Sequence, residues 1–77
     1  MLVADDDPLI VATLGHVLHS AGFDVAEVFD GASALEACIR LTPALAIVDY
    51  AMPGSNGVEL ARMIALQTAV PVMFLSA

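Results

Sequence analysis

Carboxylates end two apolar stretches of this sequence, and their type and spacing make them the best candidates for chemistry. Leu45–Val48 runs directly into Asp49, and Met1–Ala4 runs into Asp5 and Asp6. Short apolar runs bounded by turn residues predict buried strands. If the two strands are parallel neighbours, their carboxyl ends lie about 5 Å apart. The three aspartates would then converge at one edge of a sheet.

Such a cluster requires either a cation or a proton. At about 5 Å and an effective dielectric constant of about 20, two ionised carboxylates repel each other by roughly 3 kcal/mol. We therefore expect a bound cation or a raised pKa within the cluster. All the ligands offered are oxygens, which favours Mg²⁺ or another hard divalent ion. A structural interpretation stays open, because an aspartate at a strand end can simply cap the loop that follows.

The size and composition of the chain bound its organisation. With 77 residues it holds at most one small domain. Chains of this size bury only about 60% of their unfolded surface, yet 60% of the residues here are hydrophobic. We therefore expect the chain to be a piece of a larger domain or to associate with another chain.

Charge and cysteine content exclude several classes of function. The net charge is −7, with two basic residues, both Arg, so contacts with nucleic acid are not expected. A single cysteine excludes an internal disulfide. No apolar run is long enough for a membrane span, and no basic segment opens a signal peptide.

Strands and helices are predicted to alternate along the chain. Asp7 and Pro8 are typical of a helix start, and Gly22 is typical of a helix end. The predicted strands cover residues 1–4, 23–29, 45–48 and 70–77, and the predicted helices cover residues 8–21, 32–41 and 57–67. This βαβαβαβ order predicts an α/β fold with a parallel sheet and helices on both faces.

Each helix is predicted to turn one apolar face toward the sheet. In helix order, these faces are Ile10, Leu14, Val17, Leu18 and Ala21; Leu35, Cys38 and Ile39; and Leu60, Met63 and Ile64.

Together these stretches resemble the receiver domain of bacterial two-component response regulators. The matching pieces are the acidic segment Asp5–Pro8, the strand Ala46–Asp49, the loop Met52–Gly57 and the strand end Ser76-Ala77. The resemblance covers the whole chain. It implies a flavodoxin-like, doubly wound parallel sheet with strand order 2-1-3-4-5, truncated here after the fourth strand.

The resemblance also implies roles for individual residues. Asp49 would be the phospho-acceptor, and Ser76 the switch hydroxyl that binds the phosphoryl group. Asp5 and Asp6 would hold Mg²⁺ together with Asp49 and the backbone carbonyl of Ala51. The implied function is regulatory rather than enzymatic: a cytoplasmic receiver takes a phosphoryl group from a sensor histidine kinase or phosphotransfer protein and changes conformation to control an output.

The chain departs from the family pattern at its carboxyl end. Residues 1–77 match only a partial receiver domain, with strands 1–4 and helices 1–3. The fifth strand normally supplies a Lys, and this sequence contains none. We expect Val72–Leu75 to form a bare apolar edge, and therefore a homo-oligomer that assembles through the fourth strand.

Alternative functions follow from the same residues. A receiver-like fragment that is not phosphorylated could act only in assembly. A phosphatase of the haloacid dehalogenase type would use Asp5–Asp7 as its strand-end Asp-x-Asp. A flavodoxin-like nucleotide binder is disfavoured, because no Gly-rich loop follows the first strand.

Overall fold

The computed structural model describes residues 1–52 and 56–75, which form one parallel sheet and three helices. The elements in chain order are β1 (Leu2–Ala4), α1 (Pro8–Ser20), β2 (Ala26–Val28), α2 (Gly31–Leu41), β3 (Ala46–Asp49), α3 (Gly57–Gln67) and β4 (Val72–Leu75). The strand order is β2-β1-β3-β4, and each neighbouring pair is parallel. The predicted α/β, doubly wound arrangement is thus confirmed.

Local signals explain where two of the helices begin and how the first one ends. Asp7 caps α1, and its Oδ1 accepts the N–H of Leu9 at 2.9 Å. Gly22 follows α1 with φ of +96°, a conformation that glycine adopts without steric cost. The second helix starts one residue earlier than predicted, because Asp30 caps it by accepting the N–H of Ser33 at 2.7 Å.

The predicted bounds of β2 and β4 differ most from the observed ones. The second strand covers Ala26–Val28 rather than residues 23–29, because only these residues align with β1. The fourth covers Val72–Leu75, and the predicted positions 76 and 77 lie outside the described residues. The third helix has the bounds that were predicted.

The two faces of the sheet differ in how they are covered. Alternate strand residues point to opposite faces, and α2 and α3 cover the face to which Leu2, Ala4, Ala46 and Val48 point. The core on that face consists of Leu2, Ala4, Ala34, Ala37, Cys38, Ala46, Val48, Met52, Leu60, Ile64 and Val70. On the other face α1 packs against β1 and β2, and the fully buried residues there include Val3 and Val11.

The predicted face of α1 was correct only in part, since Leu14 and Leu18 are half-buried. Ile10 and Val17 are exposed, and Ala21 lies beyond the helix end. The residues that α1 buries are Val11 and Gly15. This helix is apolar around most of its circumference, so the apolar spacing does not single out one face. Packing favours the side with the small residue, where the helix comes closest to β2.

The other two helices follow their predicted faces in part. Cys38 is buried as predicted, whereas Ile39 is exposed and small alanines make up the contact of α2. Leu60 and Ile64 are buried in α3, while Met63 is partly exposed. Within the described residues, no helix is long and apolar enough to cross a membrane.

Candidate functional site

The carboxyl ends of β1 and β3 bring three aspartates together. The register pairs Ala4 with Val48, so Asp5 follows β1 at the level where β3 ends in Asp49. One carboxylate oxygen from each of Asp5, Asp6 and Asp49 lies within 4.8 Å of the others. The convergence predicted from the two apolar runs is therefore present, and we refer to these three residues as the aspartate cluster.

The three carboxylates differ in their exposure to solvent. Asp5 is 3% exposed, Asp49 is half-buried and Asp6 is exposed. Burial raises the pKa of the Asp5 carboxyl above its ordinary value, and the negative charges of Asp49 and Asp6 act in the same direction. The N–H of Asp7 donates to Asp5 Oδ1 at 3.0 Å and partly opposes this shift. A negative charge on Asp5 is therefore costly unless a cation or a proton offsets it.

Hydrogen bonds to the backbone hold the loop after β3. The N–H of Ala51 donates to Asp49 Oδ1 at 3.2 Å, and the N–H of Tyr50 donates to the carbonyl of Leu75 at 3.1 Å. The ring of Tyr50 meets the ring of Phe74 edge-on, with centroids 5.5 Å apart. The loop is therefore tied to β4 through both backbone and side chain.

The donor set suits a hard divalent cation. Three carboxylates from two strand ends offer oxygens only, as Mg²⁺ prefers. Within the described residues, Arg40 and Arg62 each pair with a glutamate on their own helix, and the sequence has no lysine. The aspartate cluster could therefore hold a metal ion from solution.

Two of the predicted site residues are not tested by this geometry. Ser76 lies outside the described residues; it follows Leu75, the β4 residue that pairs with Asp49. Ala51 lies two residues after Asp49, and its carbonyl as a ligand stays a prediction.

An apolar cavity beside the cluster was not predicted. The α1 cavity, as we name it, has a volume of about 530 Å³ and lies between α1 and the ends of the strands. Its lining consists of Asp5, Leu9, Ile10, Thr13, Leu14, Asp49 and Leu75. The signal in the sequence is the continuous apolar surface of α1, but apolar spacing alone predicts that such a surface packs against the sheet.

Comparison with characterised proteins adds independent information. The family model for the response regulator receiver domain matches residues 1–77. The chain is 40% identical over 77 residues to the DNA-binding response regulator MtrA of Mycolicibacterium smegmatis, and 39% identical to the transcriptional regulatory protein CseB of Streptomyces avermitilis. Both alignments cover the whole of this chain but only about a third of each relative, 34% and 33%.

Solved structures of receiver domains have the same fold. The signal receiver domain of a modulated diguanylate cyclase from Desulfovibrio desulfuricans matches with a TM-score of 0.89 and 37% identity, over 99% of this chain and 62% of that one. The response regulator domain of Thermotoga maritima CheB matches with a TM-score of 0.86 and 29% identity, over 95% of this chain and 56% of that one.

The aspartate cluster, the strand order and the family match agree with one another. Receiver domains work in two-component phosphorelay signalling, where they interact with histidine kinases or phosphotransfer proteins, and they are generally regulatory rather than catalytic. The chain belongs to the response regulator receiver domain family.

Proposed function

We propose that Asp49 accepts a phosphoryl group from a histidine of a sensor kinase or phosphotransfer protein, with Mg²⁺ held in the aspartate cluster. The observation that carries this proposal is the convergence of three carboxylate oxygens within 4.8 Å, one of them on a buried aspartate. As part of the same proposal, residues 1–77 are part of a receiver domain, with strands 1–4 and helices 1–3, in a cytoplasmic protein.

The chemistry asks little of the protein beyond position and charge. A carboxylate oxygen of Asp49 forms a bond to phosphorus while the bond from phosphorus to the donor's imidazole nitrogen breaks, and that nitrogen takes up a proton. When bound, Mg²⁺ supplies the positive charge that offsets the phosphoryl oxygens. Asp5 and Asp6 would hold the ion with Asp49 and the carbonyl of Ala51, and the N–H of Ala51 orients Asp49.

Intact mass spectrometry after incubation with acetyl phosphate and Mg²⁺ tests the phospho-acceptor. We expect a gain of one phosphoryl group in the 77-residue chain and none in the Asp49→Asn variant. Chelation of Mg²⁺ with EDTA should abolish the gain. No gain in a chain that is folded by circular dichroism would overturn the proposal and leave a fragment that acts only in assembly. Continuous turnover of a phosphomonoester would instead indicate a phosphatase.

Ser76 is proposed as the switch hydroxyl that donates a hydrogen bond to the phosphoryl group. Ser76 directly follows Leu75 in the sequence, and Leu75 pairs with Asp49 in the parallel register, which supports this role. Tyr50 is the sole tyrosine in a chain without tryptophan, so its emission reports on the neighbouring Asp49. We expect Ser76→Ala to accept the phosphoryl group without the change in emission seen in the wild type. An unchanged response would show that Ser76 has no such role.

We further propose that copies of the chain associate through β4. This strand is at the end of the sheet order, and its Met73 and Phe74 are 54% and 39% exposed. Exposed apolar edge strands pair readily with other chains, and a lysine on the edge opposes pairing. We expect light scattering at micromolar concentrations to show a dimer or larger species, and Met73→Lys to shift it toward monomer. A monomeric wild type would contradict this.

A further inference from the structure

The first residue of α3 touches the backbone of the loop that follows Asp49. A Cβ atom built on Gly57 would lie 2.6 Å from the carbonyl oxygen of Tyr50 and 2.9 Å from its Cα atom. Real Cβ atoms essentially never come so close, and both neighbours are backbone atoms that cannot rotate away. The φ of Gly57 is not in the left-handed region, so space rather than conformation is the reason for glycine here.

Tyr50 is therefore held on two sides. Its N–H donates to the carbonyl of Leu75 in β4, and its carbonyl lies against the start of α3 at Gly57. The peptide groups of Tyr50 join Asp49 to Ala51, whose N–H donates to Asp49 Oδ1 at 3.2 Å. A displacement of Tyr50 would consequently move both residues.

We propose that Gly57 is a positioning residue for the cation site, because the absence of a side chain lets α3 hold Tyr50, and through it Asp49 and Ala51, in place. This inference rests on the proposed function, in which Asp49 and the carbonyl of Ala51 are ligands. A methyl group at this position must displace the Tyr50 backbone, disturb the Ala51 to Asp49 hydrogen bond and turn the Ala51 carbonyl. The groups that orient metal ligands typically contribute roughly 10- to 100-fold to metal affinity.

A matched control is available in α1. Gly15 is also a buried helical glycine, but a Cβ atom there would meet the carboxylate end of the Glu27 side chain. That side chain is exposed and can turn aside. Gly15→Ala thus adds the same methyl group against a flexible neighbour, far along the chain from the Asp49 loop.

The test is a Mg²⁺ titration followed by the emission of Tyr50, with circular dichroism on each variant. We expect wild type and Gly15→Ala to bind Mg²⁺ with the same Kd, and Gly57→Ala to bind roughly 10- to 100-fold more weakly with an unchanged helix signal. A Gly57→Ala variant with the wild-type Kd would overturn the inference. No Mg²⁺ binding by the wild type would instead overturn the proposed function.

Amide chemical shifts of the metal-free protein separate the two ideas. Whether or not Mg²⁺ binds, Gly57→Ala should shift the amide signals of Tyr50 and Ala51, and Gly15→Ala should leave them in place. Unmoved signals in Gly57→Ala would overturn the inference independently of any metal. If Gly57→Ala is unfolded, the double variant Gly15→Ala/Gly57→Ala is measured instead, because alanine favours a helix over glycine by about 1 kcal/mol. If the double variant is also unfolded, Gly57 is required for the whole fold rather than for the position of this loop, and the inference is overturned.

Discussion

The two faces of the sheet differ in how completely their apolar residues are packed. On the α2–α3 face, small and large side chains fill a continuous core in which Ile64 is fully buried. On the α1 face, one helix covers β1 and β2, and the α1 cavity opens beside β3 and β4. Ile10 lines that cavity and is 40% exposed. The first face holds most of the buried apolar core, whereas the second brings apolar surface next to the aspartate cluster.

Ile64→Ala should lower the free energy of unfolding most, because it leaves a cavity in the packed face. Removal of a fully buried isoleucine side chain costs about 2–5 kcal/mol, whereas a chain of this length has a free energy of unfolding of roughly 4–12 kcal/mol at typical values per residue. We expect the urea unfolding midpoint to fall sharply, or the variant to be unfolded. A midpoint near that of the wild type would show that this face is loosely packed.

Ile10→Ala makes the same change on the α1 face and should have a smaller effect. Much of this side chain already contacts solvent, so we expect a loss of no more than about 1 kcal/mol in the free energy of unfolding. The measurement is urea unfolding beside Ile64→Ala, at a concentration low enough to favour monomer. An equal loss in both variants would indicate that the α1 cavity is filled in solution.

The N-cap of α2 should give the smallest effect, and one that depends on pH. The N–H and hydroxyl of Ser33 hold the pKa of Asp30 below its ordinary value of 3.8. The stabilisation is then fully present above the ordinary value and is lost as the pH falls through the lowered one. Wild type should therefore lose more stability on acidification than Asp30→Asn.

The Asp30→Asn variant is the matched control, because asparagine caps helices about as well as aspartate but does not titrate. Urea midpoints of both proteins from neutral pH to below 3.8 provide the measurement. Parallel curves would mean that the ionised cap adds nothing to the stability of the packed face.

The convergence of the three aspartates was more predictable from the sequence than the packing of the helices. Asp5 and Asp49 each end an apolar run, and parallel pairing alone brings strand ends together, so few assumptions separate sequence from geometry. The buried face of α1 could be predicted only in part, because the helix is apolar nearly all round and Val11 and Gly15 do not stand out from its other residues. Likewise, the predicted start of α2 is one residue late, because the side chain of Asp30 caps a helix that begins at Gly31.

The α1 cavity and the close contact at Gly57 could not be predicted from the sequence for another reason. Both depend on distances between elements that are remote along the chain, and apolar spacing contains no information about those distances. Val11 and Ile10 are adjacent apolar residues, yet one is fully buried and the other lines a cavity.

The parallel register of β1 and β3 has a consequence for folding. Ala4 pairs with Val48, and this register brings Asp5 to the level of Asp49. A slip of one residue would shift one strand by about 3.3 Å and turn its side chains to the opposite face. A cation that binds the cluster would stabilise only correctly aligned chains, by RT ln(1 + [L]/Kd). A bound ion would thus raise the population of chains in which β1 and β3 are correctly aligned.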